Sequence, residues 1–160
     1  MEMSVKNTAV MIGTLAAVVL GVGVFIYGSS QSLKHSYIDP SDTKLVADGK
    51  NIYAQNCASC HGAKLEGEPD WRMRKANGRL PAPPHDESGH TWHHADAVLI
   101  DIIKNGLVPS VTAPAGYVSD MPAYNTLLND HDIRAVLAYI KSSWPQHALA
   151  RQKDINLQHK

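Results

Sequence analysis

The pattern of apolar and polar positions divides the chain into four stretches. From Ala9 to Tyr27 the sequence reads AVMIGTLAAVVLGVGVFIY, without a charge. That is about the length a helix needs to cross a bilayer, and its glycines are commoner in membrane helices than in soluble ones. A buried core helix would show a polar face, and this run has none. The run is longer than the apolar region of a cleaved signal peptide, so residues 8–28 are expected to form an uncleaved transmembrane anchor. Gly28-Ser29-Ser30, small enough for a peptidase, keep the signal-peptide reading open. Lys6 before the span and Lys34 after it give little basis for orientation by charge.

Residues 29–41 are polar, contain Pro40 and carry no helical stripe; they read as a linker. A helix is expected from Ser41 or Asp42, either of which is a suitable N-cap. Leu45, Gly49, Ile52 and Asn56 recur at helical spacing along it. Gly49 is costly in mid-helix; a close crossing by another helix would account for it, and a merely tolerated glycine is the alternative. Residues 57–84 turn to loop, with Gly62, Gly67, Gly78 and four prolines. A second helix, capped by Thr91 or His94, carries the stripe Val98, Leu99, Ile102 and Ile103, and Gly106 stands at its C-cap. Residues 107–124 are again loop. Asn129 and Asp132 form a capping-box pattern ahead of a third helix with Ile133, Val136, Leu137 and Ile140 inward. Pro145 stops it. The polar tail 146–160 is expected as a frayed helix or a disordered end. No strand pattern and no internal repeat appear, so the class is all-α, with residues 42–145 as one domain.

Composition narrows the function by exclusion. Fifteen acidic and fifteen basic side chains balance across 160 residues, which gives no electrostatic footprint for nucleic acid. Only two cysteines are present, and nine histidines are many for this length.

Both cysteines fall in Cys57-Ala58-Ser59-Cys60-His61, the spacing of covalent c-type haem attachment. Two thiols about one helical turn apart can add to the two vinyl groups on one edge of a porphyrin. The next residue, His61, then lies under the ring with its imidazole toward the iron. The rival readings of Cys-x-x-Cys are weaker. A redox dithiol asks for a βαβ context, a zinc site asks for more ligands than two thiols supply, and a disulfide over two residues would constrain little.

A six-coordinate haem needs a second axial ligand. Met1, Met3 and Met11 belong to the membrane end, and Met73 sits on a charged stretch beside Arg72 and Arg74. Met121 lies far along, in Ser119-Asp120-Met121-Pro122, where a loop can wrap the haem and present a thioether from the opposite side; Pro122 stiffens it. A thioether ligand raises the reduction potential. With both axial positions filled no site remains for a substrate, so the reading is an electron carrier and not an enzyme. Around the haem, Trp92 with a neighbouring His, and Arg79 through its charge, are candidates to hold the propionates. His85, His90, His93 and His94 with Asp86 would alternatively make a surface metal site, or be a polar loop and nothing more. Trp71 and Arg72 either pack over the haem edge or cover the loop.

Gly49-x3-Tyr53-x3-Cys57-x2-Cys60-His61-Gly62, a late Met-Pro and a final helix with Ala138-Tyr139-Ile140 together resemble class I cytochrome c over roughly residues 43–145. The resemblance implies the cytochrome c fold, in which the first and last helices cross near Gly49, Tyr53 and Tyr139 while loops enclose one haem c. It also implies that a loop proline carbonyl, from Pro83 or Pro84, accepts the His61 Nδ1–H. The long charged stretch from Lys64 to His94 departs from compact members of the family. With the anchor, the chain is similar to membrane-bound monohaem cytochromes. The expected function is a tethered shuttle between membrane-bound donor and acceptor complexes, with the haem domain on the periplasmic side of the inner membrane and with no nucleic-acid or small-molecule partner. A fixed haem subunit of a larger oxidoreductase, or a haem enzyme or sensor with a displaceable distal ligand, are the alternatives.

Overall fold

The computed structural model describes residues 37–159. The expected anchor at 8–28 lies outside them; among the described residues no helix is long and apolar enough to cross a membrane. Five helices follow in order: α1 (Thr43–Asn56), the short α2 (Ala58–His61), α3 (Asp96–Asn105), α4 (Asp130–Ser142) and α5 (Gln146–Gln158), with a single 3₁₀ turn at Thr91–His93 before α3. A lone bridge between Pro109 and Ala113 is the only β pairing among the described residues.

Local chemistry fixes the helix ends. The Asp42 carboxylate accepts the Leu45 N–H at 3.0 Å and starts α1. Asn129 and Asp132 make the reciprocal capping box of α4, each side chain accepting the other's backbone N–H at 3.0 and 3.1 Å. Gly106 ends α3 at φ +73°, a left-handed conformation that costs glycine little.

The crossing of α1 and α4 organises the core. A Cβ on Gly49 would fall on the Ala135 carbonyl and 3.0 Å from the Val136 nitrogen; only a bare α-carbon lets the two backbones approach so closely. Tyr53 and Tyr139 meet beside it, ring centroids 5.3 Å apart. Two apolar clusters flank the crossing. One gathers Ile38, Leu99, Leu128, Ile133, Leu137 and Ala138; the other gathers Tyr53, Leu65, Val136, Ile140, Trp144 and Ala148.

Three sequence expectations are corrected. The tail beyond Pro145 is neither frayed nor disordered over 146–158: Pro145 stands at the N-cap of α5, which buries Ala148 and Gln152. The linker's end is part of the core, since Ile38 has no solvent exposure. Neither Thr91 nor His94 caps α3; Ala95 holds that position without a side-chain bond. The Asn156 side-chain oxygen, reaching across from α5, instead accepts the Asp96 N–H at 2.8 Å.

These corrections share one polar knot. The buried Asp96 carboxylate accepts from Lys141 Nζ at 2.9 and 3.0 Å, from Gln152 Nε2 at 2.7 Å and from the Ile38 N–H at 2.8 Å. The Lys141 ammonium also lies 3.8 Å from the centre of the Tyr37 ring. One carboxylate therefore ties together α3, α4, α5 and the strand of chain that enters the domain.

Candidate haem site

Between α1–α2, α3, α4 and the two long loops lies a cavity of about 890 Å³. Cys57 ends α1, and α2 carries Cys60 and His61, so one helical turn presents both thiols and the imidazole to the cavity wall. Burial raises the Cys57 thiol to about 11, with the neighbouring Cys60 adding to the rise. Gly62, at φ +82°, then turns the chain away.

His61 is 8% exposed. Its Nδ1 is 2.8 Å from the Pro83 carbonyl oxygen. A carbonyl only accepts, so Nδ1 carries the proton and Nε2 is left with a lone pair for a metal. Burial pulls the imidazole below its ordinary pKa against this hydrogen bond, which favours the neutral ring that ligation requires. Of the two prolines implied by the resemblance, Pro83 is the acceptor. The Tyr53 hydroxyl donates to the Gly62 carbonyl at 3.0 Å, securing the turn behind His61.

Met121 lines the same cavity. Its N–H donates to the Ser119 hydroxyl at 3.0 Å. The loop that carries it is held at both sides: Tyr124 donates its N–H to the Ile103 carbonyl at 3.0 Å and its hydroxyl to the Asn56 carbonyl at 2.7 Å. The floor is apolar, with Leu99, Ile102, Ile103, Leu137 and Ile140. Two thiols, one imidazole with its outer nitrogen engaged, one thioether and an apolar body are the donor set and lining that a covalently attached haem requires.

The other candidates are placed differently. Neither Arg79 nor Trp92 is among the residues lining the cavity. Arg79 pairs with Asp120, next to Met121. The Trp92 indole N–H donates to the Glu87 carbonyl at 3.3 Å, and its ring packs on His93 at 3.8 Å. The polar wall is made instead by Trp71, Lys75, His90 and His94. His90 stacks on Trp71 at 5.4 Å and meets His94 edge-on at 5.6 Å, while the Arg72 guanidinium lies 3.9 Å over the Trp71 ring. Of the two openings for Trp71, the cavity edge is the one observed. Sequence spacing carried no signal for this wall, because it forms only when loop 64–94 folds back. Among the described residues no group of three or more His, Cys, Asp or Glu side chains converges to hold a metal. His85 turns inward, and burial, reinforced by His61, holds it well below the usual histidine range.

The family model described as Cytochrome c matches residues 46–144. The chain is 26% identical over 132 residues to a cbb3-type cytochrome c oxidase subunit CcoP of Azospirillum sp. (strain B510), covering 75% of this chain and 40% of that protein. It is 30% identical over 104 residues to a cbb3-type subunit FixP of Rhizobium meliloti (strain 1021), covering 64% and 29%. It is 26% identical over 102 residues to a gluconate 2-dehydrogenase cytochrome c subunit of Pantoea cypripedii, covering 64% and 21%. In each case the match takes in less than half the relative's length. No solved structure matches the chain.

Proposed function

Because the chain belongs to the cytochrome c family, whose members carry covalent haem c, we propose that it is a single-haem electron-transfer protein working at a membrane. The observation that carries this reading is the meeting of Cys57, Cys60, His61 and Met121 on one cavity whose axial imidazole is already oriented by Pro83. Cys57 and Cys60 would supply the thioether bonds to a haem, His61 its nitrogen ligand and Met121 a sulfur ligand. The bound haem supplies a one-electron iron couple. With haem bound, His61 and Met121 would be its two ligands, the Leu and Ile side chains of the cavity would surround it, and the thioether would favour its reduced state.

The working site is a carrier's and not an enzyme's, since ligands above and below leave no place for a substrate. The apolar run at residues 9–27 tethers the domain, with the haem on the periplasmic side, close to membrane-bound donor and acceptor complexes. Tethering raises the local concentration of carrier at both. A second reading is favoured by the relatives, which are named as subunits of an oxidase and a dehydrogenase: the chain is a fixed haem subunit of such an assembly.

Intact mass of the purified protein tests the core of this. One haem retained after denaturation, with the N-terminal run still present, is expected; no denaturation-resistant haem would overturn it. Carbon monoxide separates carrier from sensor or enzyme: the reduced protein at neutral pH is expected not to bind it. Stoichiometric partners after mild detergent extraction would decide for the fixed subunit.

A further inference from the structure

His85 lines the cavity beside His61, and its surroundings are specific. Its ring stacks on the His61 ring with centroids 4.0 Å apart and planes 30° apart. Its Nδ1 lies 3.1 Å from the Thr91 hydroxyl, and its edge meets Tyr53 at 6.1 Å and 78°. Its backbone is equally held: the N–H donates to the Leu65 carbonyl at 2.8 Å, and the carbonyl accepts the Trp144 indole N–H at 2.8 Å.

Two imidazoles whose centres are this close cannot have an iron between them, so His85 lies beside His61 on one side of the site and is not the opposite axial ligand. The Pro83 hydrogen bond restrains His61 at one edge of the ring only, and rotation about its Cβ–Cγ bond has broad preferences of its own. The Pro83 carbonyl fixes one direction within the ring plane. A flat neighbour against the ring face fixes the other. His85 also stands two residues after Pro83, so one proline-stiffened segment delivers both the acceptor and the plate.

Resting on the reading of His61 as proximal ligand, we propose that His85 is a positioning residue for it: clamped by Thr91, it sets the plane of the axial imidazole and keeps water from the His61–Pro83 hydrogen bond. The orientation of that plane decides which iron d orbital the ligand overlaps, so it is read directly in the electron paramagnetic resonance g values of the ferric, low-spin protein. Water admitted beside the ligand favours the ferric charge and lowers the midpoint potential.

The test uses the full-length haem-loaded protein. The unsubstituted protein is expected to give one set of low-spin g values; if it carries no covalent haem, the functional reading fails before this proposal is reached. His85→Ala is expected to split or broaden that set and lower the midpoint. His85→Phe, which keeps a ring against His61, is expected to retain a single set. Thr91→Val, which removes the clamp at constant volume, is expected to broaden the signal in the same sense as His85→Ala but less, and it decides the matter if His85→Ala does not fold. Unchanged g values and midpoint in His85→Ala and Thr91→Val, with only a lower melting temperature, would overturn the proposal: His85 would then be core packing. A Phe variant as disturbed as the Ala variant would overturn the stacking argument.

Discussion

Met121 is the residue on which the carrier reading turns, because it is the one thioether among the residues that line the cavity. Met121→Ala is expected to leave haem attachment intact, abolish the sulfur-to-iron charge-transfer absorption and make the reduced protein bind carbon monoxide; an unchanged iron spectrum would remove Met121 as the ligand. Gly49 is the corresponding residue for the fold. Its missing Cβ is the space taken by the Ala135 carbonyl, and backbone cannot swing aside as a side chain can. Gly49→Ala is expected to destabilise the domain by about 1–3 kcal/mol, as measured by urea unfolding, although alanine is the better helix former. At this scale the sequence was readable wherever chemistry is local. Cys57, Cys60 and His61 share a turn of helix, and Gly49 in a helical stripe already asked for a partner. Arg79 and Trp92 were not readable, because loop 64–94 takes its shape from contacts such as the Glu68 carboxylate accepting the Ala82 N–H at 2.6 Å. No spacing rule reports a contact of that kind.

Among the elements, α4 and α5 show opposite degrees of legibility. Helix α4 announces itself by a capping box and by Ile133, Val136, Leu137 and Ile140 at helical period, all of them buried. Helix α5 buries Ala148 and Gln152, a small residue and a polar one, so it has no apolar stripe to read; its docking depends on the buried Asp96 that only the folded chain reveals. Asp96→Ala is expected to cost about 3–5 kcal/mol, since it leaves Lys141 charged and unpaired in the interior, and to release α5, seen as faster hydrogen exchange at 146–158. Burial lowers Lys141 to about 8, against the attraction of Asp96, while an unfolded lysine titrates near about 10.4. Between these values the unfolded chain holds more protons than the folded one, so this group makes stability rise with pH. Its penalty is complete below about pH 8 and is relieved as pH climbs toward 10. Unfolding free energies from pH 8 to 10 should therefore rise more steeply in the wild type than in Lys141→Met; equal slopes would count against it.

For the whole molecule, the family match over residues 46–144 covers the helices and loops that bound the cavity, while α5 lies beyond it. The knot at Asp96 joins α5 to the matched frame and to Ile38, where the chain enters the domain. The all-α class and the crossed helices were legible because they follow from periodicity and one glycine. The extent of the domain was not, because a polar tail and a polar linker look alike whether or not a buried carboxylate awaits them.

The crossing at Gly49 also imposes a schedule on biosynthesis. Helix α1 is made before the surface it must rest on, which belongs to α4. Contacts between such distant stretches form late. Until then the two thiols and His61 belong to a four-residue helix without that support. A porphyrin joined to the thiols before that closure would be enclosed as α1 and α4 come together at Gly49.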